Sequence, residues 1–143
     1  MTDQIVPGHP PSADLAEWHL ALRVLAMPAN TNPWGDIFGG WVLSQADIAG
    51  ATVAIARARG RVTTAAMQEF QFLSPVRVGD LVDLFARLVR VGNSSMTVEV
   101  SAWARRESLP QEGHQVAAGR LVYVAVDAHG RTRPVDEPGA DIP

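Results

Sequence analysis

NPWGDIFGGWVLSQAD, residues 32–47, passes from a Pro- and Gly-containing turn straight into an apolar helix that carries one carboxylate, Asp47. Gly35, Gly39 and Gly40 let the backbone bend tightly and approach a ligand closely, and the start of the helix presents N–H groups without an intrahelical partner. Those donors lie about two helical turns before Asp47. The helix itself reads from Gly40 to Ala58 and is nearly apolar all round, with Arg57 its first cation. Such a helix is expected to be wrapped on most sides, and Asp47 to be buried with it. A buried acid near oriented N–H groups is the arrangement that water attack on a polarised carbonyl requires.

Outward from this segment the chain reads as strands. Glu17 to Leu25 alternates in part and stops at Met27-Pro28, and Asn30 to Gly40 is a loop rich in Asn, Pro and Gly. After the helix, four strands are expected at Val62–Leu73, Leu81–Val91, Ser95–Arg106 and Gln115–Val126. Gly92-Asn93 is a hairpin signal, and beyond it Met96, Val98, Val100 and Ala102 oppose Thr97, Glu99 and Ser101. One strand, one apolar helix and four long strands describe an α+β fold in which an antiparallel sheet of five to six strands wraps around one long central helix, the hotdog architecture. A lone protomer would leave a sheet edge and one helix face open, so edge-to-edge pairing into a dimer is expected. Residues 1–16 read as a loose leader, 17–133 as a single domain and 134–143 as a flexible tail.

At 143 residues, 47% of them apolar and none of them cysteine, the chain is one ordinary globular domain with no disulfide framework, thiol nucleophile or thiolate zinc site. The four histidines, His9, His19, His114 and His129, have no metal-ligand spacing, so no metal is expected. A net charge of −3 gives no electrostatic reason to bind nucleic acid. All 12 cationic residues are Arg, a pattern read either as codon bias or as a preference for bidentate phosphate contacts. The longest apolar run, Gly39 to Ala56, is interrupted by Ser44, Gln45 and Asp47 and falls below the roughly 20 residues that span a membrane. No membrane segment is expected. The N-terminus has no basic flank before an apolar core, so a cytoplasmic location follows.

Three motifs in order, LAMPANTNPWGDIFGGWVLSQAD (25–47), FLSPVRVGD (72–80) and YVAVDAHGR (123–131), resemble those of YciA-type acyl-CoA thioesterases. The likeness covers roughly Leu22 to Arg133. It implies a hotdog fold, hydrolysis of acyl-CoA to free acid and coenzyme A, no separate cofactor, and a homodimer or trimer of dimers whose active site spans the dimer interface. The acid that the resemblance makes catalytic falls on Asp47. From the residues alone, Asp47 is either that acid or a structural hydrogen-bond acceptor, and as a catalyst it serves either as general base or as nucleophile. Asp36 borders the thioester site by resemblance, and by its position reads equally as a turn or capping residue. Gly39 and Gly40 fit an oxyanion hole, with close packing of helix on sheet as the steric alternative.

Coenzyme A is polyanionic, so an anion site is expected despite the acidic balance. Arg57, Arg59 and Arg61 after the helix and Arg90 beside the turn Asn93-Ser94-Ser95 are its candidates, although each alone reads as a surface charge. Thr63 and Thr64 line the pantetheine channel in this reading, or serve simply as good strand formers. Trp34 departs from the family, where a small polar residue usually precedes this glycine, and it marks the acyl pocket as altered. Trp18, Trp41 and Trp103 read as core or interface residues. Two other functions fit the architecture: a hotdog dehydratase or hydratase, which would want a His beside the helix, and a non-catalytic acyl-CoA-binding protein.

Overall fold

The computed structural model describes residues 18–106 and 109–137, with only the backbone given for 109–112. The expected leader and residues 138–143 of the expected tail lie outside the described residues. The elements are β1 (His19–Leu25), a 3-10 turn at Pro28–Asn30, α1 (Gly39–Ala58), β2 (Val62–Phe72), β3 (Asp80–Val91), β4 (Ser95–Arg106) and β5 (Leu109–Ala125). They form one five-stranded sheet of order β1-β3-β4-β5-β2 in which every neighbouring pair is antiparallel. The helix lies across the sheet and meets all five strands.

Small residues let the helix sit close. Ala46, Ala49, Ala54 and Ala58 are wholly buried against Val82, Leu84, Val98, Leu121 and Tyr123 of the sheet. On β4 the inward positions Met96, Val98, Val100 and Ala102 are buried, following the alternation in the sequence. The outer face of the sheet has its own cover, a cluster of Trp18, Phe85 and Trp103, with the Arg87 guanidinium 4.4 Å above the Trp18 ring. That second layer is why β3, which alternates only partly in sequence, is buried on both faces along Val82 to Ala86.

The helix ends at Arg59, which turns left-handed at φ 52° and donates its N–H to the Ile55 carbonyl. Arg133 then reaches in from the far end of the chain. Its guanidinium donates to the carbonyl of Ala58 at 2.9 Å and to that of Val126 at 3.1 Å, placing a buried cation on the negative end of the helix. Val135, within the segment read as tail, is buried in the main core and donates its N–H to the Asn93 carbonyl at 2.8 Å.

Two expectations change. β5 begins at Leu109, earlier than Gln115, because the segment with Pro110 and Gly113 pairs only with β4; β2 joins β5 from Ala117 onward, so the N–H that Pro110 lacks interrupts no second ladder. The helix is not wrapped on most sides by its own chain. A single sheet layer covers one side of it, leaving Ile48 and Ile55 half exposed. The adjoining edge strand β2 is exposed over most of its length, including Met67 and Phe72. That strand also carries a bulge: its register slips between Gln68 and Gln71, and Glu69 adopts φ +53°.

Candidate active site

Asp47 lies near the middle of α1 on the side that faces β2 and β5. The Thr64 hydroxyl donates to its Oδ1 at 2.7 Å. The Tyr123 hydroxyl donates in a bifurcated way, to the Asp47 backbone carbonyl at 2.7 Å and to the same Oδ1 at 3.2 Å. Both donors thus converge on one carboxylate oxygen. Among the described residues, Oδ2 receives no hydrogen bond. Tyr123 itself has no exposed surface, and burial first, then the Asp47 charge and hydrogen bond, push its phenol far above the usual range.

The expectation that Asp47 is buried is corrected here. It is half-buried in the single chain, because it looks toward β2 and the open edge of the sheet.

The loop before the helix is organised by a residue the sequence reading did not single out. The side-chain oxygen of Asn32 accepts the N–H of Trp34 at 2.9 Å and of Asp36 at 3.1 Å, while Gly35 takes φ +90° between them. Asp36 answers with its carbonyl, which accepts the Asn32 N–H at 2.7 Å. Asn32 is therefore the residue whose side chain holds the turn, and Asp36 does not cap the helix: the N-cap is Phe38, with no side-chain cap hydrogen bond. Trp41 is the first helical residue to donate backward, to the Phe38 carbonyl at 3.0 Å, so the N–H groups of Gly39 and Gly40 stay outside the ladder. A Cβ on Gly40 would meet nothing within 4 Å, and one on Gly39 would meet only the Phe72 ring, at 3.3 Å. Helix-on-sheet packing therefore does not explain Gly40.

Four of the residues singled out for the nucleotide, Arg57, Arg61, Asn93 and Ser94, meet the chain between Ala125 and Asp136 at the other end of the helix. Arg57 pairs with Asp136 at 3.0 Å, and Arg61 donates to the Ala128 carbonyl at 3.0 Å. The carbonyls of Asn93 and Ser94 accept the N–H groups of Val135 and Ala125, each at 2.8 Å, and that of Ser95 closes the turn onto Gly92 at 2.8 Å. Arg59, Thr63, Arg90 and Asn93 are exposed. Trp34 stands at the opposite end and is 84% exposed in the single chain. Trp18 and Trp103 are buried and Trp41 packs on the core, as read. No group of three His, Asp or Glu side chains that could hold a metal occurs among the described residues.

Two further residues escaped the sequence reading, Tyr123 and Gly50. A Cβ on Gly50 would lie 2.4 Å from the Tyr123 hydroxyl, so this glycine is the notch through which the phenol reaches the helix backbone. The signal was present: one Gly inside an otherwise apolar helix, and the only tyrosine of the chain in a strand of Val and Ala.

A helix with an uncapped glycine start, laid on an antiparallel sheet with an acid at its middle, defines a hotdog thioesterase. The family described as the thioesterase superfamily matches residues 35–110. An acyl-CoA thioester hydrolase YciA from Salmonella typhimurium is 44% identical over 122 residues, covering 84% of this chain and 92% of the relative. The hexameric thioesterase y2039 from Yersinia pestis superposes with a TM-score of 0.76 at 45% identity, over 80% of this chain and 94% of that one. HI0827, a hexameric broad-specificity acyl-coenzyme A thioesterase, gives 0.77 at 41% identity, over 82% of this chain and 81% of that one. The chain belongs to the YciA family of acyl-CoA thioester hydrolases within that superfamily.

Proposed function

We propose that this protein hydrolyses acyl-CoA thioesters to free acid and coenzyme A, using Asp47 against a thioester carbonyl polarised by the N–H groups of Gly39 and Gly40. The observation that carries this reading is the state of the Asp47 carboxylate: Oδ1 is fixed by Thr64 and Tyr123, and Oδ2 is left to react. As general base, Oδ2 takes a proton from water, the hydroxide adds to the carbonyl, and collapse expels the CoA thiolate. As nucleophile, Oδ2 adds to the carbonyl itself, expels the thiolate and forms a mixed anhydride that water then cleaves. A single turnover in ¹⁸O-water tests for the anhydride: the general-base route labels the released acid alone, so label in Asp47 of the enzyme establishes the nucleophilic route with water attacking the Asp47 side of the anhydride.

Distance along the helix argues for a site built from two chains. Gly40 and Asp47 are separated by about 10 Å of helix axis at 1.5 Å per residue, a long span for one thioester carbonyl to bridge between its N–H donors and a directly attacking carboxylate. That span favours the start of one helix meeting the acid of another. The open β2 edge and the uncovered Ile48 and Ile55 supply the surface for that pairing. In this reading the protein is a homodimer or a trimer of dimers. Light scattering is expected to show at least a dimer at micromolar concentration, and an active monomer would refute the shared site.

The arginines near the helix end and the Asn93 turn are assigned to the CoA phosphates. Raising salt is then expected to weaken CoA binding more than binding of a short pantetheine thioester, since only the former is heavily charged. Equal salt dependence would remove the assignment. Trp34 is assigned to acyl selection: Trp34→Asn is expected to change the ratio of kcat/KM between short and long acyl-CoAs, at a scale of roughly 1 kcal/mol per buried methylene. An unchanged chain-length profile would make Trp34 a surface residue. Nothing in the helix supports the dehydratase alternative, for His19 lies on β1, His114 on β5 and His129 in a turn. A cytoplasmic location is part of the same proposal; among the described residues no helix is long and apolar enough to cross a membrane.

A further inference from the structure

We infer that Tyr123 is a positioning residue for Asp47, its hydroxyl locking one carboxylate oxygen and the backbone carbonyl of the same residue so that the other oxygen faces the thioester, with Gly50 kept side-chain-free to admit it. The inference rests on the assignment of Asp47 as the reacting acid.

Its geometry comes from three elements. Tyr123 stands on β5 between Thr64 of β2 and Met96 of β4, so the charged group facing the phenol is Asp47 of the helix above it. Thr64 and Tyr123 are register partners across β5 and β2, and their hydroxyls meet at the same Oδ1. A carboxylate held at one oxygen by a single donor can still swing about its side-chain torsions. With a second donor that also grips the backbone carbonyl of Asp47, the torsion is fixed relative to the helix. The phenol is suited to this because it remains protonated, a donor, across the working pH range.

Gly50 is the second, independent part of the arrangement. It lies three residues beyond Asp47, on the same side of the helix. Any Cβ there would overlap the hydroxyl at 2.4 Å and the ring at 3.1 Å. A glycine inside a helix is disfavoured relative to alanine, and here it admits a polar contact that no larger residue would allow.

The test is steady-state kinetics on a common acyl-CoA with Tyr123→Phe, Gly50→Ala and the double variant, alongside Asp47→Asn. Tyr123→Phe keeps the ring in the core and removes only the donor. It is expected to lower kcat roughly tenfold, the scale of one hydrogen bond to a charged group, with KM within about twofold. Gly50→Ala is expected to lower kcat similarly by displacing the hydroxyl, and the double variant no further than the worse single one, because both act through one contact. A purely structural Tyr123 would leave the kcat of Tyr123→Phe unchanged or move KM alone, and either result overturns the inference. Should Tyr123→Phe fail to fold, Gly50→Ala decides alone, because it displaces the same hydroxyl while keeping the tyrosine, and an unchanged kcat in that variant overturns the inference. If Asp47→Asn keeps full turnover, the assignment of the acid fails, which is a separate outcome from a silent Tyr123→Phe.

Discussion

Asp47→Asn is expected to lower kcat by roughly 10² or more while leaving the melting temperature nearly unchanged. The two effects separate because the two oxygens do different work. Asparagine keeps an acceptor at Oδ1 for Thr64 and Tyr123, so the contacts between helix and sheet survive. It puts an amide where Oδ2 stood, and an amide neither takes a proton from water nor adds to a thioester. Turnover and thermal unfolding measured on the same preparation check the prediction. Near wild-type kcat with an unchanged melting temperature would remove Asp47 from the chemistry and leave it a structural acceptor, a role asparagine fills equally well.

Gly119→Ala is expected to lose both stability and activity. Gly119 sits on β5 beneath the bulge of β2, where a Cβ would lie 2.6 Å from the Phe70 Cα and 2.6 Å from its ring. Backbone cannot yield there as a flexible side chain would. Overpacking of this kind costs about 1–3 kcal/mol, which in a chain of this length lowers the melting temperature by roughly 2–4 °C for each kcal/mol. The displacement also propagates toward the site. Phe70 packs edge-to-face on Phe72 with centroids 5.4 Å apart, and Phe72 is the ring against Gly39 at the helix start. Activity is therefore expected to fall beyond what the lost folded fraction explains, as read from kcat per folded molecule at a temperature well below the transition. A variant with unchanged melting temperature would show that the bulge does not seat on β5.

The fold was legible because its signals are local. A long apolar segment behind a Gly-Gly start reads as helix, and it spans Gly39–Ala58 against the expected Gly40 to Ala58. Alternation and turn residues placed four of the five strands to within one or two residues at each end. The start of β5 was hidden by Pro110 and Gly113, whose tolerance depends on which side of the strand has a neighbour, a property of the sheet rather than of the segment. The bulge at Glu69 was hidden for a related reason: φ +53° on a glutamate has no sequence signature, and it exists to fit Phe70 over a glycine some fifty residues away.

The candidate site was legible only in part. Asp47 and the Gly39-Gly40 start stand out as a polar residue and a glycine pair in an apolar run. Their partners come from elsewhere in the chain: Thr64 from β2, and Tyr123 from a strand that reads as ordinary core. The arginines show the converse. Arg57 and Arg61 looked like free cations in sequence, and the structure gives them Asp136 and the Ala128 carbonyl, partners brought close only when the chain returns past the helix end. The half-burial of Asp47 has the same origin, since whether water reaches it depends on which strand forms the sheet edge and on what covers that edge.

Release of free coenzyme A from acyl-CoAs ranging from acetyl to palmitoyl tests the central claim most directly. The chain contains no cysteine, so a thiol reagent reports the product alone. Thiol is expected to appear catalytically, one equivalent for each free acid formed, and to be almost abolished in Asp47→Asn. Tight binding of acyl-CoA without thiol release from any chain length would contradict the account and make the protein a binder on a thioesterase fold.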